Sequence, residues 1–343
     1  MKLSVLDQSP VIHGCSAADA VAATIELAQA ADELGYTRYW CAEHHGLQGV
    51  CNPCPEVMLA RLGSVTRRIR LGSGGVMLPY YSAFNVLERF MMLEAMFPGR
   101  IDLGVGRAPG GDGRTARVVA HGRYDPDLFP HQVADLVSLA SGKLPEGHPA
   151  TGVLLQPAVT TRPQLWMLGS SDFGGALAAQ LGMRFAFAHF ISARGGDEIA
   201  RGYRALFNPG HETKPYCAVA LFVICADTQS EADALARAVD LRRVQMAYGI
   251  NAPIPTLEQA NDWEPDERAR TVIGHERPRS IIGTPQGVVE RVLALRAAFD
   301  ADEVVVLSVA ASYAARLRTY ELLAQAFELG REEAGAGPDG DAA

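Results

Sequence analysis

His44 and His45 follow Glu43 at the end of an apolar stretch, Arg38 to Ala42. An imidazole titrates near neutrality, so one of these rings can pass a proton to a bound reactant. Side chains alternate along an extended chain, so the two rings diverge and at most one points inward. For the same reason they make a poor pair of ligands for one metal ion. A second constellation, Gly169-Ser170-Ser171-Asp172 ahead of a helical run from Gly174, offers backbone N–H groups and two hydroxyls to an anion at a helix N-terminus. The simpler role for either serine is to cap that helix. Arg107, within Gly104-Val105-Gly106-Arg107-Ala108-Pro109-Gly110, is a possible counter-charge. Together they point to a phosphate-bearing cofactor.

Other chemistries fall away. The run from Gly104 to Gly110 approaches the dinucleotide fingerprint but has Pro109 where the third glycine belongs. A Gly-x-Ser-x-Gly elbow fails around Ser73 because Leu71 replaces the first glycine, and no Gly-Lys-Ser/Thr occurs. Metal-dependent barrel hydrolases want His-x-His at the first strand, which here ends in Asp7-Gln8-Ser9-Pro10. Cys51-Asn52-Pro53-Cys54 has no second pair at zinc spacing, so no metal is expected and the six cysteines read as incidental thiols.

The elements that position these residues alternate strictly. Strands are predicted over Leu3–Leu6, Arg38–Ala42, Ile69–Ser73, Ile101–Val105, Leu165–Leu168, Phe185–Ala188, Ala218–Cys225 and Glu303–Leu307, each followed by a helical period. Eight such units in 343 residues predict one (β/α)8 TIM barrel over 1–330 rather than two domains. Ser141–Pro163 and Asn251–Pro285, the latter with five prolines, read as insertions in the barrel, and 331–343 as a disordered tail. The histidines, glycines and serines fall at the C-terminal strand ends, where barrel active sites assemble.

Composition bounds the partners. Thirty-one basic against 39 acidic residues give −8, with no basic cluster to track nucleic acid or an anionic membrane. Neither a signal peptide nor a run of about twenty apolar residues is present, so a cytoplasmic location is expected.

Five blocks carry a resemblance: Trp40-x-Ala42-Glu43-His44-His45, Gly72 to Pro79, Phe97 to Gly104, Gly106 to Gly110 and Trp166-x-Leu168-Gly169-Ser170-Ser171. In this order they are similar to the bacterial luciferase-like, flavin-dependent monooxygenases, and Arg316 to Ala324 is similar too. The resemblance implies a (β/α)8 barrel with reduced FMN (FMNH2) at the rim, its phosphate on Ser170, Ser171, Gly174 and Arg107. It implies a catalytic His44 and a non-proline cis peptide at Gly74–Gly75 beside the flavin ring. The activity implied is insertion of one atom of dioxygen into a small organic substrate, possibly a polyketide, through a flavin hydroperoxide. Reduced flavin would come from a separate reductase, and the chain would form a homodimer through helices of the second and third units. The reactive thiol of bacterial luciferase falls at Gly106, so light emission is not implied, and the chain looks closer to the non-luminous branch that tailors natural products. Two alternatives stand beside this reading: an F420-dependent hydride-transfer enzyme of the same superfamily, and a flavin-binding protein without catalysis.

Overall fold

Local signals set the first βα unit. The Ser16 hydroxyl accepts the Asp19 N–H while the Asp19 carboxylate accepts the Ser16 N–H, which starts helix α1 (Ala17–Leu34), and Gly35 at φ 86° ends it. In the computed structural model, which describes residues 1–330, this unit is the first of a closed ring. The strands are β1 (Lys2–Asp7), β2 (Arg38–Cys41), β3 (Arg70–Met77), β4 (Ile101–Gly106), β5 (Gln164–Gly169), β6 (Arg184–Ala188), β7 (Cys217–Cys225), β8 (Ser280–Gly283) and β9 (Glu303–Leu307). Neighbours pair in parallel from β1 through β7, and β9 bridges β7 to β1, so eight strands close a barrel, the predicted (β/α)8 architecture. The expected tail, 331–343, lies outside the described residues. No helix among those described is long and apolar enough to cross a membrane.

The helices that follow are α2 (Pro55–Val65), α3 (Ala83–Met96), α4 (Gly113–Val119), α5 (Phe129–Ser141), α6 (Asp172–Gln180), α7 (Gly196–Ala205), α8 (Gln229–Ala247), α9 (Leu257–Asn261), α10 (Glu267–Glu276), α11 (Pro285–Ala298) and α12 (Tyr313–Ala326). Two sequence expectations need correction. Gly72 to Gly75 do not follow the third strand but lie inside it, with a register shift between Gly74 and Val76. The segment 251–285 is more than an insertion between barrel units: it carries α9, α10 and a ninth strand, β8, which the sequence reading did not foresee and which pairs with β7 over Phe222–Cys225. The helix that returns from β7 and β8 to β9 is therefore α11. Helix α8 has another task, because its Ala232, Leu235, Ala236 and Val239 pack with Leu6, Trp40, Phe222 and Val305, residues of the barrel interior. It roofs the mouth.

Alternation sends every second strand residue inward. At the base this brings Arg38, Arg70, Asp102 and Glu303 together: Arg38 donates to Glu303 at 2.6 and 2.9 Å and to Asp102 at 2.6 Å, and Arg70 donates twice to Asp102. Above them Trp40 and Trp166 meet edge to face, 4.9 Å between centroids. Gly72 leaves room for the indole, since a Cβ there would lie 2.9 Å from Trp40 Cδ1. The layer nearest the mouth contains small residues, among them Ala42, Gly74 and Ala188, packed with Leu6, since a Cβ on Gly74 would lie 2.5 Å from Leu6 Cδ1.

Candidate active site

A cavity of about 520 Å³ opens at the C-terminal ends of β3 to β6, within the usual range for a small-molecule site. Its two ends differ in chemistry. One is a floor of Gly74, Gly75 and Gly106 beside Met77, Leu168 and Phe190. The peptide bond between Gly74 and Gly75 is cis. A Cβ on Gly75 would sit 2.5 Å from Leu168 Cδ1 and 2.7 Å from the Gly104 carbonyl oxygen, so only a residue without a side chain leaves this floor flat.

The other end is polar. Ser170, Ser171 and Gly174 line it at the start of α6, with Arg107 across from them at the end of β4. Ser171 occupies the N-cap position with extended backbone, yet its side chain makes no cap hydrogen bond. The Ser171 hydroxyl therefore does not take up the capping role and stays open to an anion, while the Phe173 N–H donates to the Asp172 carboxylate at 2.8 Å. Arg107 lies 4.7 Å over the Phe173 ring and has no ion pair among the described residues. Stacking holds the guanidinium beside the helix start without neutralising it.

His44 does not line this cavity. It stands in the β2–α2 loop, its N–H donating to the Asn52 carbonyl at 3.0 Å and its Nδ1 buried without a partner. Burial pushes the imidazole down to about 4; Glu43 partly offsets this and His45 adds to it. The ring is thus neutral at physiological pH. Between its ordinary value of 6.5 and about 4, the unfolded chain binds a proton here that the folded chain does not, so stability falls as the pH falls through that window. A His44→Asn protein should lose this part of the slope in denaturation midpoints measured from pH 7 to 4; an unchanged slope would contradict the burial assigned to the ring.

His45 meets Glu43 at 2.7 Å. Glu43, 1% exposed, also accepts the Met77 N–H at 2.8 Å and the Tyr81 hydroxyl at 2.7 Å. This carboxylate ties the histidine loop to the end of β3. Sequence reading quoted Glu43 only as part of a motif, because its partners come from residues far along the chain. Tyr124 and Phe173, which close the polar end, were also missed. The segment bearing Tyr124 has no strand-end signal. Cys15, Cys51 and Cys54 are free thiols, and no group of three or more His, Cys, Asp or Glu among the described residues is placed to hold a metal.

Comparison with known proteins finds relatives along nearly the whole chain. The family model for luciferase-like monooxygenases matches residues 1–302. YwcH of Bacillus subtilis (strain 168) is 40% identical over 332 residues, covering 95% of this chain and 99% of that protein. The N-acetyl-S-alkylcysteine monooxygenase of the same organism is 34% identical, with 95% and 98% covered. Among solved structures, apo-MsnO8 superposes with a TM-score of 0.88 at 35% identity, covering 96% of this chain and 98% of that one. Two more distant chains share the fold alone: a 3,6-diketocamphane monooxygenase component in complex with FMN (TM-score 0.68, 17% identity) and an F420-dependent secondary alcohol dehydrogenase (0.66, 13%).

Proposed function

The chain belongs to the luciferase-like monooxygenase family, and on that basis we propose that it is an FMN-dependent monooxygenase acting on a small organic substrate, with reduced flavin delivered by a separate reductase. One observation carries the reading: a single cavity joins a flat glycine floor to an open anion cradle, the two ends of a ring that bears a phosphate. Reduced FMN held there supplies the electrons with which dioxygen is activated, one oxygen atom entering the substrate and the other leaving as water.

The chain's own residues do the positioning. Arg107, Ser170, Ser171 and Gly174 hold the phosphate, and Gly74 and Gly75 let the ring approach the backbone. Leu168 and Phe190 keep water from the reacting atoms. His44, which carries the family's catalytic role by resemblance, is neutral with a buried, unpartnered Nδ1 and stands in the β2–α2 loop and not in the cavity lining, so a proton role for it needs the loop to bring the ring to the bound reactants. The exposed Val57, Met92 and Met96 on α2 and α3 form the face proposed for a homodimer.

The test begins with affinity. Replacing Arg107 by Ala should weaken FMN by about tenfold or more, the worth of one charge-assisted contact, and leave riboflavin binding unchanged. Equal losses for both flavins would remove the phosphate from this cradle. Turnover is then followed with each reduced cofactor. Oxygen-dependent product formation with FMN is the expected outcome; anaerobic hydride transfer to or from F420 would replace the monooxygenase reading with a dehydrogenase. Tight FMN binding with no oxidation of any substrate would leave a binding protein.

A further inference from the structure

Arg242 is a buried cation with nothing to pair with. It sits on α8 in the row that runs through Leu235 and Val239, the row that packs into the barrel-interior cluster, because residues three and four apart share a helix face. Its side chain therefore turns toward the mouth. The residue is 7% exposed, its Nη1 has no partner, and no hydrogen bond or ion pair to any described residue satisfies the guanidinium. Burial pushes its pKa down with no nearby carboxylate to offset it.

The loop that carries His44 is shaped around this group. A Cβ on Gly49 would lie 2.7 Å from Arg242 Nη2 and 3.1 Å from both its Cζ and the Ala252 carbonyl oxygen, so it is the missing side chain that lets the loop backbone pack against the guanidinium. Three residues on, Asn52 is 3% exposed and its Nδ2 also lacks an acceptor. Two buried donors thus border one loop, each without a hydrogen-bond partner. A buried guanidinium left alone carries a heavy desolvation penalty, which a fixed structural role would have paired internally. What is missing is an anionic acceptor, and a carboxylate presents two coplanar oxygens to the guanidinium fork. Arg242 adjoins the loop after β2, whereas the anion cradle lies at the ends of β4 and β5. The two cations hold separate ligands.

We infer that Arg242 anchors a carboxylate of the organic substrate, with Asn52 as a second donor, so that the oxygenated compound belongs to the carboxylic acids. The inference rests on the monooxygenase reading of the same site and makes Arg242 a substrate-positioning residue.

Its test is binding to the FMN-loaded enzyme, with hexanoate and benzoate as probes against the neutral hexanamide and benzamide, read by calorimetry. Flavin fluorescence in the same samples reports whether FMN is held, so failure of the flavin reading is seen apart from failure of this one. The wild-type protein should prefer each carboxylate over its amide by roughly tenfold or more. Arg242→Met should abolish that preference while retaining FMN, and Arg242→Lys should keep part of it. Because methionine replaces an unpaired charge by an apolar chain of similar length, the ligand-free R242M protein should melt no lower than wild type. Absence of the preference in wild type, its persistence in R242M, or a lower melting temperature of ligand-free R242M would each overturn the inference.

Discussion

An Arg38→Met protein is expected to lose about 3–5 kcal/mol of stability at pH 7, the usual cost of removing one partner from a buried ion pair. Three bonds of 2.6–2.9 Å tie Arg38 to Asp102 and Glu303, and both carboxylates have side chains with no exposure. The guanidinium also lies 4.7 Å from the Trp166 ring, so it braces the indole layer that supports the mouth. Methionine keeps the stem and deletes the charge. Asp102 keeps Arg70, but Glu303 keeps only hydroxyl donors, from Ser4 and Tyr216.

The pH dependence gives this prediction a sign. Burial pushes the Asp102 carboxyl up, but Arg38 and Arg70 more than offset it and hold it below its ordinary value. A depressed carboxyl contributes stability that is present above the unfolded value of about 3.8 and lost as the pH falls through the folded one. Without Arg38 the depression of the Asp102 carboxyl is reduced, so the gap between R38M and wild type should narrow as the pH falls from 7 to about 3.8. Chemical denaturation at both values measures it. A deficit under about 1 kcal/mol at pH 7, or one that widens in acid, would mean that the base layer is held by packing and not by charge.

How much of this was legible in the sequence depends on how local each feature is. The Ser16 box, the Gly35 stop and the apolar strands repeat short patterns, and from them the barrel follows. Ser170 and Ser171 were legible because two hydroxyls just ahead of a helix limit what they can do, whereas the site roles of Gly74 and Gly75 came from the family resemblance alone, and the pair lies inside β3 and not at its end. Helix α8 was not: Ala232, Leu235 and Val239 make the same stripe whether they face a barrel wall or a barrel mouth, and only tertiary packing distinguishes them. The four residues of β8 and the two buried valines of α11, Val288 and Val292, are too few to stand out from a proline-rich stretch. Arg242 went unread for a related reason. In a barrel-wall helix it would be a solvated surface cation; on a roof it is buried, and nothing in its own sequence neighbourhood marks the difference.

Alanine at Gly75 is expected to cost about 1–3 kcal/mol, the range for overpacking a filled site, and to weaken FMN by an order of magnitude or more. The two effects share one methyl group. It would enter within 2.5 Å of Leu168 Cδ1 and 2.7 Å of the Gly104 carbonyl oxygen. Leu168 can turn away only into the cavity it lines. Gly104 cannot turn away, because Gly74 and Val76 flank the shift at which β3 pairs with Gly104 and Val105 of β4. Gly106→Ala separates the fold from the site. A Cβ at Gly106 meets nothing within 4 Å, and the residue lines the same cavity. That protein should keep its melting temperature, within the roughly 0.5 kcal/mol usual for unstrained changes, yet bind FMN more weakly because the methyl occupies ligand space. Melting curves and fluorescence titrations on the pair decide the matter. If Gly75→Ala binds FMN like wild type, the glycine floor is not where the ring lies. If Gly106→Ala binds FMN like wild type while Gly75→Ala does not, the loss at Gly75 belongs to the strand pairing and not to contact with the flavin.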